Sequence, residues 1–132
     1  MATIKAYTDL EQSKKLAEIL PLESADMHYH YDYDFDELES IPTITEEDDH
    51  FVLFPKDVRC WSFTALLDVI PKDEYKDFDL CSGGYQGDKY IQEWFCSYEQ
   101  HNHPFLIEIC HAPTPVDACY ELILKLHELK ML

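Results

Sequence analysis

Two histidines and an aspartate alternate near the start of the chain in a pattern that could hold a metal ion. His28, His30 and Asp32 are each two residues apart. In a β-strand such residues share one face, with Cα atoms about 7 Å apart. Two imidazoles and a carboxylate suit a divalent transition metal. His101 and His103 are a second pair and could add ligands. The alternative is a solvated strand face without a metal.

Acidic residues dominate the same region of the sequence. The net charge is −17, and the stretch from Glu23 to Asp49 holds eleven acidic residues and no Lys or Arg. This concentration would attract a basic partner surface. The residues expected to bind such a surface are Asp32, Asp34, Asp36, Glu37, Glu39, Glu46, Glu47, Asp48 and Asp49. The alternative is that the acidity only keeps the protein soluble.

The same charge excludes some classes of partner. A strongly negative surface repels phosphate backbones and anionic membranes, so we expect neither direct nucleic-acid binding nor membrane binding. Asp32, Asp34 and Asp36 would follow each other about 7 Å apart on an extended strand, close to the phosphate spacing of a nucleic-acid strand. A nucleic-acid mimic that inhibits a defence or DNA-processing enzyme is therefore the sharpest form of the binding hypothesis.

Catalysis has little support in the sequence. The chain has five cysteines, no C-x-x-C pair and no G-x-S-x-G motif. Gly83 and Gly84 lack the Lys and Ser/Thr of a phosphate-binding loop. We therefore expect a non-catalytic protein without a cofactor. The alternative is a metal-binding module or a metal-dependent enzyme that uses His28, His30 and Asp32. The odd cysteine count and the lack of a signal-peptide-like start indicate a reducing cytoplasm.

One ribbon must position most of these groups. From Met27 to Asp36, every odd position is apolar or aromatic and every even position is His or Asp. This period of two predicts a ten-residue extended strand with its rings turned inward and its charges turned to water. The acidic segment at about 37–50 follows, and we expect it to be a mobile loop. A second strand is predicted at His50–Phe54.

Helix and strand signals fill the rest of the chain. Helix 1 is expected at Asp9–Leu20, with Thr8 and Glu11 as a capping box. A short helix capped by Ser62 is expected at Phe63–Ile70. The strands predicted for an antiparallel meander are Phe78–Cys81, Lys89–Glu99 and Phe105–Cys110, with turns at Ser82–Asp88 and His101–Pro104. A final helix is expected at Pro115–Met131, capped by Thr114.

These elements predict the fold class. We expect one α+β domain over residues 1–132, in which an antiparallel sheet of about four strands is packed by three helices in two layers. The clearest apolar stripe belongs to the final helix, which should lie across the sheet.

Several stretches of the chain resemble one group of proteins. The matching stretches are Tyr7–Pro21, Glu23–Met27, Cys60–Ser62 with Ala65–Pro71, and Pro115–Glu121. They are similar to small uncharacterised proteins from gut-bacterial genomes and their phages. The resemblance touches both ends and the middle helix. It implies a cytoplasmic protein encoded by a phage or another mobile element, and it implies no particular activity.

Overall fold

The computed structural model describes residues 5–46 and 56–132, and these ranges form an α+β fold. Their strand pairs are all antiparallel. The chain divides into two compact units. The N-terminal unit is the described part of Ala6–Val69, and the C-terminal unit is Ile70–Leu132 together with Lys5.

The N-terminal unit is built from short elements. The elements in chain order are α1 (Leu10–Ile19), a 3-10 turn (Leu22–Ser24), β1 (Met27–Tyr29), β2 (Tyr31–Asp32), β3 (Glu37–Leu38), β4 (Thr43–Ile44), β5 (Val58–Cys60) and α2 (Phe63–Val69). The three-stranded sheet has the order β4-β1-β5, and β2 and β3 form a separate pair.

Helix α1 begins with a capping box, but one residue later than the sequence predicts. The side chain of Asp9 accepts the Gln12 amide at 2.9 Å, and the side chain of Gln12 accepts the Asp9 amide at 3.0 Å. The expected pair of Thr8 and Glu11 is therefore wrong. Thr8 is buried, and its hydroxyl accepts the Trp61 amide at 3.1 Å instead of capping the helix. The predicted cap of α2 is confirmed, because Ser62 Oγ accepts the Ala65 amide at 3.2 Å.

The predicted ten-residue strand at Met27–Asp36 is wrong. The chain is extended over β1 and β2, but both are short, and residues Tyr33–Asp36 form a turn. Two aromatic side chains predicted to face inward, Tyr33 and Phe35, are 53% and 75% exposed. The turn forms because Asp side chains bond nearby amides and so compete with strand pairing.

The C-terminal unit is a long antiparallel meander covered by one helix. Strands β6 (Lys76–Gln86), β7 (Lys89–Gln100) and β8 (Leu106–Ala112) pair in sequence order, which confirms the predicted meander. The expected turn at Ser82–Asp88 shrinks to Gly87 and Asp88. Gly83, with φ +83°, lies at a register shift that lets β6 continue past it, since glycine tolerates this conformation.

Helix α3 (Pro115–Glu128) is capped as the sequence predicts and packs on this sheet. Thr114 Oγ1 accepts the Asp117 amide at 3.0 Å, and Pro115 occupies the first turn. Cys119 lies in contact with Cys96 of β7, with 3.7 Å between the two sulfur atoms. The buried aliphatic residues of α3 are Val116, Ala118, Leu122, Ile123 and Leu126.

The α+β class is confirmed, but the single sheet of about four strands is wrong. The described residues form three antiparallel sheets, of three, two and three strands. The sheet is divided because the predicted ribbon turns back on itself after Asp32 and because the meander lies in the other unit. The strand predicted at His50–Phe54 falls outside the described residues.

Candidate functional site

A tight β-hairpin presents much of the acidic stretch, and we call residues Tyr31–Glu39 the acidic hairpin. Strand β2 pairs with β3, which places Asp32 opposite Glu37, and the turn Tyr33–Asp36 joins them. The Glu39 amide extends the structure by donating to the carbonyl of His30 at 2.8 Å.

Aspartates hold the turn of this hairpin together. Asp32 Oδ1 accepts the amides of Asp34 and Phe35 at 2.9 and 3.3 Å. Asp36 has φ +54°, a left-handed conformation that Asp tolerates better than most residues. The Tyr31 hydroxyl donates to the Asp36 carboxylate. This carboxylate raises the pKa of Tyr31 above its ordinary value, because ionisation would place two negative oxygens side by side.

The rings of the hairpin stand at its surface. Tyr31 and Tyr33 meet edge to face, with centroids 4.9 Å apart. The Lys56 ammonium lies 4.6 Å from the Tyr31 centroid and 5.8 Å from that of Tyr33, so it is attracted by both ring faces. Phe35, at the tip, is the most exposed large apolar side chain among the described residues.

Most of the predicted acidic binding residues are accessible where the structure describes them. Asp32 is half-buried in its capping role. The exposed members are Asp34, Asp36, Glu37, Glu39 and Glu46. Within residues 5–46 and 56–132, none of them forms an ion pair with Lys, Arg or His. The remaining three, Glu47, Asp48 and Asp49, fall outside the described residues.

A shallow cleft of about 430 Å³ runs beside β3. Its lining combines three acidic residues with two aliphatic residues and a serine. The lining residues are Asp32, Glu37, Leu38, Glu39, Ser40 and Ile41. Such a cleft could take a cationic side chain with an aliphatic stem, because Lys and Arg bury their methylenes while keeping the charge at a polar edge.

The two predicted histidine ligands meet a different carboxylate from the expected one. Strand β1 pairs with β5 so that Tyr29 lies opposite Val58. Just beyond this pair, His30 Nδ1 lies 3.3 Å from Asp57 Oδ1. One nitrogen or oxygen atom of each of His28, His30 and Asp57 lies within 4.8 Å of the others. Asp32 is not in this group, because it caps the hairpin turn.

Hydrogen bonds fix the orientation of this histidine cluster, which we define as His28, His30 and Asp57. His28 is 7% exposed, and its Nδ1 lies 2.8 Å from the Thr45 hydroxyl. The Asp57 side chain is 2% exposed, and its Oδ1 accepts the Tyr31 amide at 2.7 Å. The Nδ1 atom of His30 lies 3.3 Å from the same oxygen.

Asp57 and Thr45 are the functional candidates that sequence reasoning missed. Asp57 precedes β5, which is only three residues long and too short to show a periodic sequence pattern. Its position beside the histidines depends on pairing with β1, which lies more than 25 residues earlier in the chain. The only local signal is that a lone carboxylate precedes the Val58-Arg59-Cys60 triplet.

The second predicted histidine pair is separated. His101 joins an exposed group at the start of β6 and the end of β7, where its Nε2 lies 2.7 Å from Asp77 and 3.5 Å from Glu99. These three residues also have one ligand atom each within 4.8 Å of the others. His103 is exposed in the following loop and does not belong to this group. His101 therefore cannot be read as one half of a His–His pair.

Burial makes two of the thiols poorly reactive. All five cysteines are free, and burial raises the pKa values of Cys60 and Cys110 above the ordinary thiol value. Raised pKa values keep these thiols protonated at neutral pH, and the thiolate is the reactive form. Cys60 and Cys110 are therefore better explained as small packing groups. The contact with Cys96 lowers the pKa of Cys119, which is fully buried in α3.

Comparisons with known protein families, curated proteins and solved structures found no match to this chain. None of the described helices combines the length and apolar composition needed to cross a lipid bilayer. The acidic hairpin and the histidine cluster are therefore the features of this chain that bear on its function.

Proposed function

We propose that this protein is a non-catalytic interaction module that docks its acidic hairpin on a basic surface of a partner protein. The observation that carries the proposal is the tip of the hairpin, where Tyr33 and Phe35 are exposed among the exposed carboxylates of Asp34 and Asp36. The acidic stretch supplies attraction to a basic surface, and the rings supply apolar contact area. In the cell, we place this module in the cytoplasm, in the phage or mobile-element setting that the sequence resemblance implies.

The exposed rings favour docking over a purely solubilising role. Charged side chains alone would serve solubility. A large exposed phenyl ring gives no such benefit, and aromatic side chains are enriched among residues that dominate binding energy. Phe35 is 75% exposed on a turn held by side-chain hydrogen bonds. A preorganised turn loses less conformational entropy on binding than a flexible loop would.

The carboxylates would act mainly on the rate and the salt dependence of association. Complementary charge steers two surfaces together and suppresses wrong partners. Neighbouring carboxylates at exposed positions repel one another, and a cationic partner would relieve this repulsion. Lys56 does not remove the negative surface, because its ammonium faces the Tyr31 and Tyr33 rings.

The nucleic-acid-mimic version of the proposal loses its geometric support. It required Asp32, Asp34 and Asp36 at even spacing along a straight strand. Instead, Asp32 ends β2, and Asp34 and Asp36 lie in the turn that follows. Mimicry then depends on charge alone. Competition by duplex DNA for the captured partner tests it directly, because a mimic and DNA would occupy the same basic groove.

The experiment compares capture of partner proteins from a bacterial lysate by the wild type and by the triple variant Asp32→Asn, Asp34→Asn, Asp36→Asn. Asn keeps the oxygen acceptor that Asp32 uses in the turn and tolerates the left-handed conformation of Asp36. The variant therefore removes charge while preserving the hairpin. Capture is run at about 50 mM and about 200 mM salt, a range over which charge-driven binding falls steeply.

A matched control removes the same number of charges elsewhere. Glu74, Asp88 and Glu121 are exposed in the C-terminal unit, so Glu74→Gln, Asp88→Asn and Glu121→Gln give a triple variant of equal net charge. We expect a discrete partner to be captured by the wild type and the control at low salt, and lost by the hairpin variant. Equal capture by the two triple variants would show that general acidity, not the hairpin, is responsible.

A further inference from the structure

We infer that His28, His30 and Asp57 form a binding site for a divalent transition-metal ion such as Zn²⁺. Cross-strand pairing of β1 with β5 places the three side chains on one face of the sheet. The histidine rings stand edge to face with centroids 6.5 Å apart. None of its ligands is one of the proposed docking residues, although the Tyr31 amide of the acidic hairpin donates to Asp57.

The ligand spacing is within reach of tetrahedral coordination. The three donor atoms lie within 4.8 Å of one another. Metal–ligand bonds of about 2.0–2.2 Å in a tetrahedral site place ligand atoms about 3.3 Å apart. His30 Nδ1 and Asp57 Oδ1 already have this separation, at 3.3 Å. Small side-chain rotations would bring His28 to the same distance.

The groups around the ligands resemble the support that metal ligands receive in other proteins. A ligating histidine usually bonds a polar group through its other ring nitrogen, and a ligating carboxylate is usually hydrogen-bonded. Thr45 Oγ1 lies 2.8 Å from His28 Nδ1 and so orients the His28 ring. The Tyr31 amide holds the Asp57 carboxylate at 2.7 Å. These two contacts preorganise the cluster.

The donor chemistry selects the class of metal. Imidazole suits Zn²⁺, Cu²⁺, Ni²⁺ and Fe²⁺, whereas Ca²⁺ and Mg²⁺ prefer sites made of oxygen ligands. Three protein ligands leave a coordination position for water or another ligand. His30 is 38% exposed at the side chain and provides the entry path, while Asp57 is 2% exposed beneath it.

Arg59 sets a limit on the affinity. It pairs with His28 across the two strands and therefore occupies the same sheet face. A guanidinium is always charged and repels a divalent cation. Replacing Arg59 with Gln is expected to strengthen Zn²⁺ binding.

The test is calorimetric titration of Zn²⁺ into full-length protein purified without a histidine tag and stripped with a chelator. Titration with Co²⁺, followed by visible absorption, reports the coordination geometry. We expect a single ion per chain and a Co²⁺ spectrum of the tetrahedral type. His30→Gln is the main variant because His30 is the most exposed ligand, and Asp57→Asn retains an oxygen that can accept the Tyr31 amide. Each should weaken Zn²⁺ binding by roughly tenfold or more.

His101→Gln is the matched control, because it removes a histidine from the exposed group with Asp77 and Glu99. It should leave the affinity and the stoichiometry of Zn²⁺ binding unchanged. Absence of Zn²⁺ binding by the wild type would overturn the inference. So would Zn²⁺ binding that survives both His30→Gln and Asp57→Asn in folded protein, as judged by circular dichroism.

Discussion

The two units of this protein obtain their order in different ways. The C-terminal unit has strands of 7 to 12 residues and a 14-residue helix whose apolar side chains pack on the sheet. The described strands of the N-terminal unit are two or three residues long. Among the described residues, the buried polar ones lie in the N-terminal unit. They are Thr8, Ser13, His28 and Thr45. Among the described residues, every buried side-chain polar atom has a hydrogen-bond partner.

This difference indicates where function is expected. A close-packed apolar core has few positions for polar functional side chains, because each buried position is already filled by an apolar contact. A unit held by specific polar contacts can position a histidine cluster and a bent, charged hairpin. The acidic hairpin and the histidine cluster both lie in the N-terminal unit. Substitutions in the apolar contacts of one unit and in the polar contacts of the other should therefore differ in their effect on stability.

The largest effect is expected in the apolar core of the C-terminal unit. Leu122 is fully buried in α3, so Leu122→Ala should lower the free energy of unfolding by about 2–5 kcal/mol. Chemical denaturation followed by circular dichroism measures this. Leu129→Ala, at a position 40% exposed, is the control and should cost far less. Similar losses for the two variants would contradict the description of this core.

The polar contacts of the N-terminal unit should contribute less per residue. Thr8→Val keeps the shape of the side chain but removes the hydroxyl that accepts the Trp61 amide at 3.1 Å and lies 2.8 Å from Ser13 Oγ. The buried amide would lose its acceptor, at a cost of about 1–3 kcal/mol. Thr43→Val, on an exposed strand position, is the control. A negligible loss for Thr8→Val in chemical denaturation would show that this network does not support the unit.

A smaller and directly matched comparison uses one buried tyrosine from each unit. Tyr29 donates to the Thr8 carbonyl at 2.8 Å, and Tyr98 donates to the Pro71 carbonyl at 2.9 Å. Each Tyr→Phe variant should lose about 1 kcal/mol of stability.

The same two tyrosines predict a pH dependence. Burial raises the pKa of both hydroxyls, so the unfolded chain releases these protons at lower pH than the folded protein does. Their contribution to stability is therefore complete below pH about 10 and is lost as the pH rises above it. Each Phe variant should show a shallower loss of stability than the wild type between neutral and strongly alkaline pH. Identical dependence of stability on pH in the wild type and the Phe variants would contradict the burial of these two hydroxyls.

The sequence predicts regular elements well and polar geometry poorly. The meander and α3 follow from alternation, helical spacing and the Thr114 cap, all of which are local signals. The capping box of α1 shifts by one residue because burial of Thr8 removes it from competition for the helix end. The acidic ribbon bends because Asp32 bonds the two amides that follow it, and this contact is absent from a periodicity argument.

The histidine cluster shows most clearly how far a site can be predicted from sequence alone. The spacing of His28 and His30 correctly indicates a shared strand face, since both belong to the same cluster. The carboxylate comes from Asp57, whose position requires the pairing of β1 with β5. Pairing between distant segments is set by the packing of the whole unit, so a single sequence without structural information cannot identify this residue.

Photo-crosslinking from the hairpin tip tests the central claim most directly. A photoreactive phenylalanine analogue replaces Phe35, which is 75% exposed, or Tyr85 of the C-terminal unit, which is 71% exposed, as a matched control. Each protein is irradiated in a bacterial lysate at low and high salt. We predict a discrete crosslinked partner from position 35 that is lost at high salt and is absent from position 85. No adduct from position 35, or the same adduct from both positions, would contradict the claim that the acidic hairpin is the docking surface.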